Sequence, residues 1–112
     1  MNKLRILYAP HDSKPEVKSI SNRLLILQVL VGGYIETVRL PELEDHQIVM
    51  VVNEEGIIKQ LPLNKNLLPF FYVGDVFFVA EDGEEFVSLS DDQLSQIFDF
   101  LERLKEIREE FQ

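Results

Sequence analysis

The chain has 112 residues, a formal net charge of −9 and no cysteine. Disulfides and thiolate-held metals are therefore excluded. The longest apolar run falls far short of the ~20 residues a membrane-spanning helix needs. The charge is unevenly placed: residues 1–80 carry nine acids against eight bases, whereas residues 81–112 carry eleven against three. Phosphate contacts need clustered Lys and Arg, so direct nucleic-acid binding is disfavoured. The acidic tail fits either a solvated helix face that aids solubility or a surface for a basic partner.

A chain of this length is expected to form one domain, 1–112. Residues 3–9 read as a strand followed by Pro10, not as a signal peptide, and a cytoplasmic location is the expectation. A loop with His11 and Asp12 leads to a short edge strand at 16–20. The run Leu24–Val31 fits a helix or a core strand equally well by spacing. Ser21 or Asn22 as cap, and Gly32 or Gly33 as a left-handed stop, favour the helix. Gln28 is its only polar residue, so near-complete cover is expected, with Leu27 and Leu30 fully buried.

A strand at 34–40 and an acidic turn at 41–46 follow. Residues 47–53, rich in β-branched side chains, read as a central strand. Glu54-Glu55-Gly56 reads as a hairpin turn with a return strand at 57–61, and 62–69 as irregular. Residues 76–80 form the most aromatic strand, and Asp82-Gly83 predicts a hairpin into 85–88. Ser90-Asp91-Asp92-Gln93 is a capping box opening a helix at about 91–111, with Asp91 and Asp92 placed well for the helix dipole.

Five segments occur in order: Leu30-Val31-Gly32-Gly33-Tyr34-Ile35-Glu36, Asn53-Glu54-Glu55-Gly56, Leu61-Pro62-Leu63-Asn64, Gly74-Asp75-Val76-Phe77-Phe78-Val79 and Phe86-Val87-Ser88-Leu89. Together they resemble a family of short proteins of unknown function, common in phages and mobile elements of Gram-positive bacteria. The resemblance covers most of the chain. It implies a helix at 24–31 and a phage or plasmid context, and it supplies no activity and no functional residues. The chain departs from the family pattern at Asp75, where a small residue is usual, and in a longer C-terminal helix.

No catalytic arrangement is recognisable: neither His11 nor His46 is placed with a Ser and an acid. His11-Asp12 lacks the further ligands a metal needs, so no metal and no cofactor are expected. Glu54-Glu55 and Glu84-Glu85 lie in turns, where acids are ordinary. Asn53, Asn64 and Asn66 either cap turns or, with Tyr34 and Tyr72, line a ligand cleft. In the C-terminal helix the apolar positions span an arc of about 180°, wider than the ~100° stripe that packs on one sheet. Leu94, Phe98 and Leu101 are expected to cover the sheet. Phe100, Leu104, Ile107 and Phe111 are left for a partner, and a homodimer is the expectation; the alternative is a deep groove in the helix's own domain.

The expected fold is α+β: an antiparallel or mixed sheet of five or six strands covered by two helices, the longer one C-terminal. The expected function is non-enzymatic, an accessory protein binding a host or phage protein through the acidic C-terminal helix. The alternative is a small-molecule or nucleotide-sequestering protein with its site near Asn64.

Overall fold

The computed structural model describes residues 2–111. Six strands, β1 (Lys3–Ala9), β2 (Glu16–Ser21), β3 (Ile35–Val38), β4 (Ile48–Asn53), β5 (Val76–Asp82) and β6 (Glu85–Val87), form one antiparallel sheet. Its order is β2-β1-β5-β4-β3. β6 pairs with the second half of β5, Ala80 opposite Val87, beyond the half that pairs with β1. Three helices complete the α+β fold: α1 (Leu24–Val31), α2 (Pro41–Glu44) and α3 (Asp91–Glu110).

The sheet is covered on both faces, which explains the unbroken apolar runs of β4 and β5. Leu4, Ile6, Val49, Val51, Phe77 and Val79 pack against Leu27 and Val31 of α1. On the opposite face Leu7, Met50, Val76 and Phe78 pack against Ile97, Phe100, Leu101 and Leu104 of α3. The short α2 begins with Pro41 at its first turn, where proline's fixed φ and missing N–H cost nothing, and it buries Leu43. It replaces the acidic turn expected at 41–46.

α1 ends as its glycines suggest: Gly32 has φ 79°, and the N–H groups of Gly32 and Gly33 both donate to Gln28 O. Its start differs from expectation. Arg23 is the N-cap residue and makes no side-chain bond, so neither Ser21 nor Asn22 caps the helix. Cover is also one-sided. Leu27 and Val31 are buried and Leu30 half-buried, while Leu24, Leu25 and Val29 stand mostly in water. A two-turn helix laid on a flat sheet can bury only the stripe that faces it.

The return strand expected at 57–61 is absent; residues 54–60 form successive turns, with Gln60 at a φ of 56°. The reason is topological. β4 already pairs with β3 along one edge and with β5 along the other, so no edge remains for a hairpin partner.

α3 begins with the complete capping box: Ser90 Oγ accepts from Gln93 N–H, and the Gln93 side chain accepts from Ser90 N–H. Its rotation corrects the assignment of faces. Phe100 and Leu104, expected at a dimer interface, lie inside the protein's own core with Ile97 and Leu101. Phe98, expected on the sheet, is 44% exposed, and Ile107 and Phe111 also face outward. The loop between β4 and β5 gives Phe100 a further surface to pack on through Phe70, while Phe98, Ile107 and Phe111, at the margins of the apolar arc, stay outside the core.

Candidate binding cleft

The segment joining β4 to β5, residues 54–75, holds only one isolated bridge, Leu63 with Val73. It is nevertheless firmly placed. Leu67 is fully buried. The Phe70 ring stacks on Phe100 of α3 with centroids 6.4 Å apart, and meets the edge of Tyr72 at 6.2 Å. The Arg108 guanidinium donates to Leu68 O at 2.6 Å and to Asn66 O at 3.4 Å.

Three asparagines finish the task. Asn64 has no exposed surface. Its Nδ2 donates to Ala9 O at 3.0 Å and Gly74 O at 2.9 Å, and its Oδ1 accepts from Asn66 N–H. Asn66 Nδ2 donates to Pro10 O and Ser13 O, both at 2.8 Å. Asn53 Nδ2 donates to Val31 O at 3.2 Å while its Oδ1 accepts from Glu55 N–H, joining the end of α1 to the start of the loop. Gly33 lies against that side chain: a Cβ there would come within 2.8 Å of Asn53 Nδ2. Of the two readings of Asn64 and Asn66, these bonds fit the turn-capping one. Their amides close hydrogen bonds that the irregular backbone would otherwise leave open.

The hollow lies further along the loop. Glu36 and Val38 of β3, Val52 of β4, and Ile57, Ile58, Phe71, Tyr72 and Val73 of the loop line an open cleft of about 350 Å³. Gly56 lets the two loop arms close on each other, since a Cβ there would meet Val73 at 2.8 Å. Its walls are largely apolar, with the carboxylates of Glu36 and Glu54 among the lining side chains. At the rim, Ile57, Ile58 and Phe71 are 79%, 81% and 77% exposed. Of the residues expected to bind a ligand, Tyr72 and Asn53 contribute to this cleft, and Tyr34 lies outside its lining. Sequence reading missed Ile57, Ile58 and Phe71. The signal available was an Ile-Ile pair directly after an acidic turn, and an aromatic run in a segment too irregular to bury all of it.

A second polar cluster sits near the end of α1. One Asp75 oxygen, Oδ1, lies 2.8 Å from His11 Nδ1 and accepts from His11 N–H at 2.9 Å. His11 is thus partnered rather than simply solvated. Burial pushes the Asp75 carboxyl up, but the two hydrogen bonds from His11, its charge and a bond from Tyr8 outweigh this and hold it below its usual value. Burial, followed by the charge of Asp75, pushes the Tyr8 hydroxyl up. Among the described residues no group of three or more His, Asp or Glu side chains could hold a metal ion.

The Asp75 pairing makes a pH-dependent prediction. A carboxyl held down in the folded state stabilises above its unfolded pKa of about 3.9, and that stabilisation is lost as the pH falls through the folded value. The side chains are about one-third exposed, so screening keeps the effect small. Asp75→Asn is expected to lower Tm by on the order of 2–4 °C at pH 7. The difference should shrink as the pH falls below the ordinary carboxylate range and the Asp75 carboxyl protonates, as read by circular dichroism melts across the pH range. A constant difference at all pH values would mean that the charge of the Asp75 carboxylate contributes nothing and that its effect lies in packing or neutral hydrogen bonding.

Residues 3–104 match the model of a protein family described as a domain of unknown function, DUF3846. No curated protein and no solved structure matches the chain.

Proposed function

The chain belongs to this DUF3846 family of unknown function, and we propose that it acts by binding, without a catalytic step, as a cytoplasmic accessory protein of a phage or other mobile element that engages a host protein. The observation that carries this reading is the cleft between β3, β4 and the 54–75 loop. Three large apolar side chains, Ile57, Ile58 and Phe71, stand mostly in water around a ready-made hollow. Apolar groups concentrated in this way mark interaction surfaces more often than scattered ones do.

The acidic face of α3 is the weaker candidate. Glu102, Glu106 and Glu109 are exposed, as expected for the solvated side of a helix whose apolar side fills the core. The two surfaces are separable by experiment. Immobilised wild type should retain a specific protein from a host lysate. Phe71→Ser should lose it, and Glu102→Lys with Glu106→Lys should keep it. The reverse pattern would move the binding surface to α3. A second reading has one observation in its favour: about 350 Å³ lies within the range of small-ligand sites, roughly 300–1,000 Å³. Native mass spectrometry that finds a retained small molecule, released by Phe71→Ser, would favour sequestration.

A further inference from the structure

β3 is an outer strand of the sheet, and it forms one wall of the cleft through Glu36 and Val38. Its hydrogen-bond phase follows from its pairing. Glu54 N–H donates to Tyr34 O, and Glu36 and Val38 lie opposite Val52 and Met50. In an antiparallel ladder, residues two apart share the same phase. The backbone groups of Tyr34, Glu36 and Val38 therefore turn towards β4, and those of Ile35 and Thr37 turn outward. The edge thus offers two residues' worth of N–H and C=O groups beside an apolar hollow.

We propose that the cleft receives an extended peptide segment, added as a further strand along β3, carrying an apolar side chain beside Val38 and a Lys or Arg two positions away against Glu36. Strand addition draws affinity from main-chain hydrogen bonds and selectivity from alternate side chains. Glu36 and Val38 share one face of β3, so the incoming strand presents alternate residues to the same face. Directly opposed side chains of opposite charge stabilise such a pair, and like charges destabilise it. A four-residue edge is short enough to discourage indiscriminate pairing, which leaves selectivity to these side-chain contacts.

Charge also decides between a second copy and a foreign partner. Glu36, Glu54 and Glu55 flank this edge, and the chain carries −9 overall. Two copies joined edge to edge here would bring acids against acids, whereas a basic-apolar segment meets complementary groups.

The inference rests on the cleft being the binding surface, and its test separates the two. A short synthetic peptide in which Lys and Val alternate with Thr is titrated into ¹⁵N-labelled wild type. The amides of Ile35 and Thr37 should shift and exchange at least about tenfold more slowly. Replacing the peptide's Lys by Glu, or making Glu36→Lys in the protein, should weaken binding by about tenfold, equivalent to ~1.4 kcal/mol. N-methylation of the peptide backbone should abolish it. Shifts at Ile57 and Phe71 with none at Ile35 and Thr37, insensitive to N-methylation, would overturn strand addition and leave the cleft reading standing. Protection of Ile35 and Thr37 in the protein alone, rising with concentration, would make a second copy the occupant and overturn the proposal. Absence of any shift at millimolar peptide would overturn it too, while partner capture with Phe71→Ser judges the cleft independently.

Discussion

Phe100→Ala should cost about 3–5 kcal/mol of stability, the range for removing a large aromatic side chain from a well-packed core. Phe100 is 2% exposed, shares the α3 face with Ile97, Leu101 and Leu104, and stacks on Phe70 of the long loop. Its loss therefore leaves a cavity between α3 and the sheet and also removes a support of the cleft wall. The same position shows why Phe100→Glu with Ile107→Glu should not yield a folded monomer. A carboxylate at 100 would be buried without a partner, which costs far more than an exposed one. Ile107→Glu alone, at a site 39% exposed, should leave stability nearly unchanged. Denaturant titration of the three variants checks this. A loss below about 1 kcal/mol for Phe100→Ala would mean that α3 packs by some other face.

The sequence carried the features whose physics is local. The Ser90 capping box, the left-handed glycine that ends α1 and the Asp82-Gly83 turn need only neighbouring residues, and each stands where its signal lies. β4 and β5 were legible because strands buried on both faces read as continuous apolar runs. The features that depend on distant partners were not. Periodicity showed how wide the apolar arc of α3 is but could not tell which stripe of it faces the core, because that depends on the sheet and on Phe70 of a loop some 30 residues earlier in the chain. Residues 54–61 have the turn residues for a hairpin, yet both edges of β4 are taken, one by β3 and the other by β5. α1 looked buried all round because composition records how apolar a helix is, not how many surfaces surround it. The cleft was hidden for a related reason: Ile57, Ile58 and Phe71 resemble core residues until the loop places them outside.

Asn64→Ala should be the other severe substitution, and its effect should appear in the free protein rather than in ligand binding. Asn64 is fully buried, and its side chain makes three hydrogen bonds, two donated to Ala9 O and Gly74 O and one accepted from Asn66 N–H. Truncation leaves these backbone groups without those partners, and each buried polar group so abandoned costs about 1–3 kcal/mol. Partial access of water to the Asn66 N–H lessens one of the three, so a loss of about 2–4 kcal/mol is expected. Asn64→Asp separates stapling from simple turn formation. Aspartate keeps the acceptor for Asn66 N–H and favours the same local turn, but it sets an oxygen against two carbonyls in a buried site. If the donated bonds carry the effect, Asn64→Asp should be at least as destabilising as Asn64→Ala at pH 7, and should recover part of the loss as the carboxyl protonates on acidification. If the turn alone matters, Asn64→Asp should behave like wild type. Urea denaturation at pH 7 and pH 4 distinguishes the two outcomes. The stapling account further expects both variants to loosen the 54–75 loop, seen as faster amide exchange at Tyr72 and Gly74, before the sheet itself unfolds.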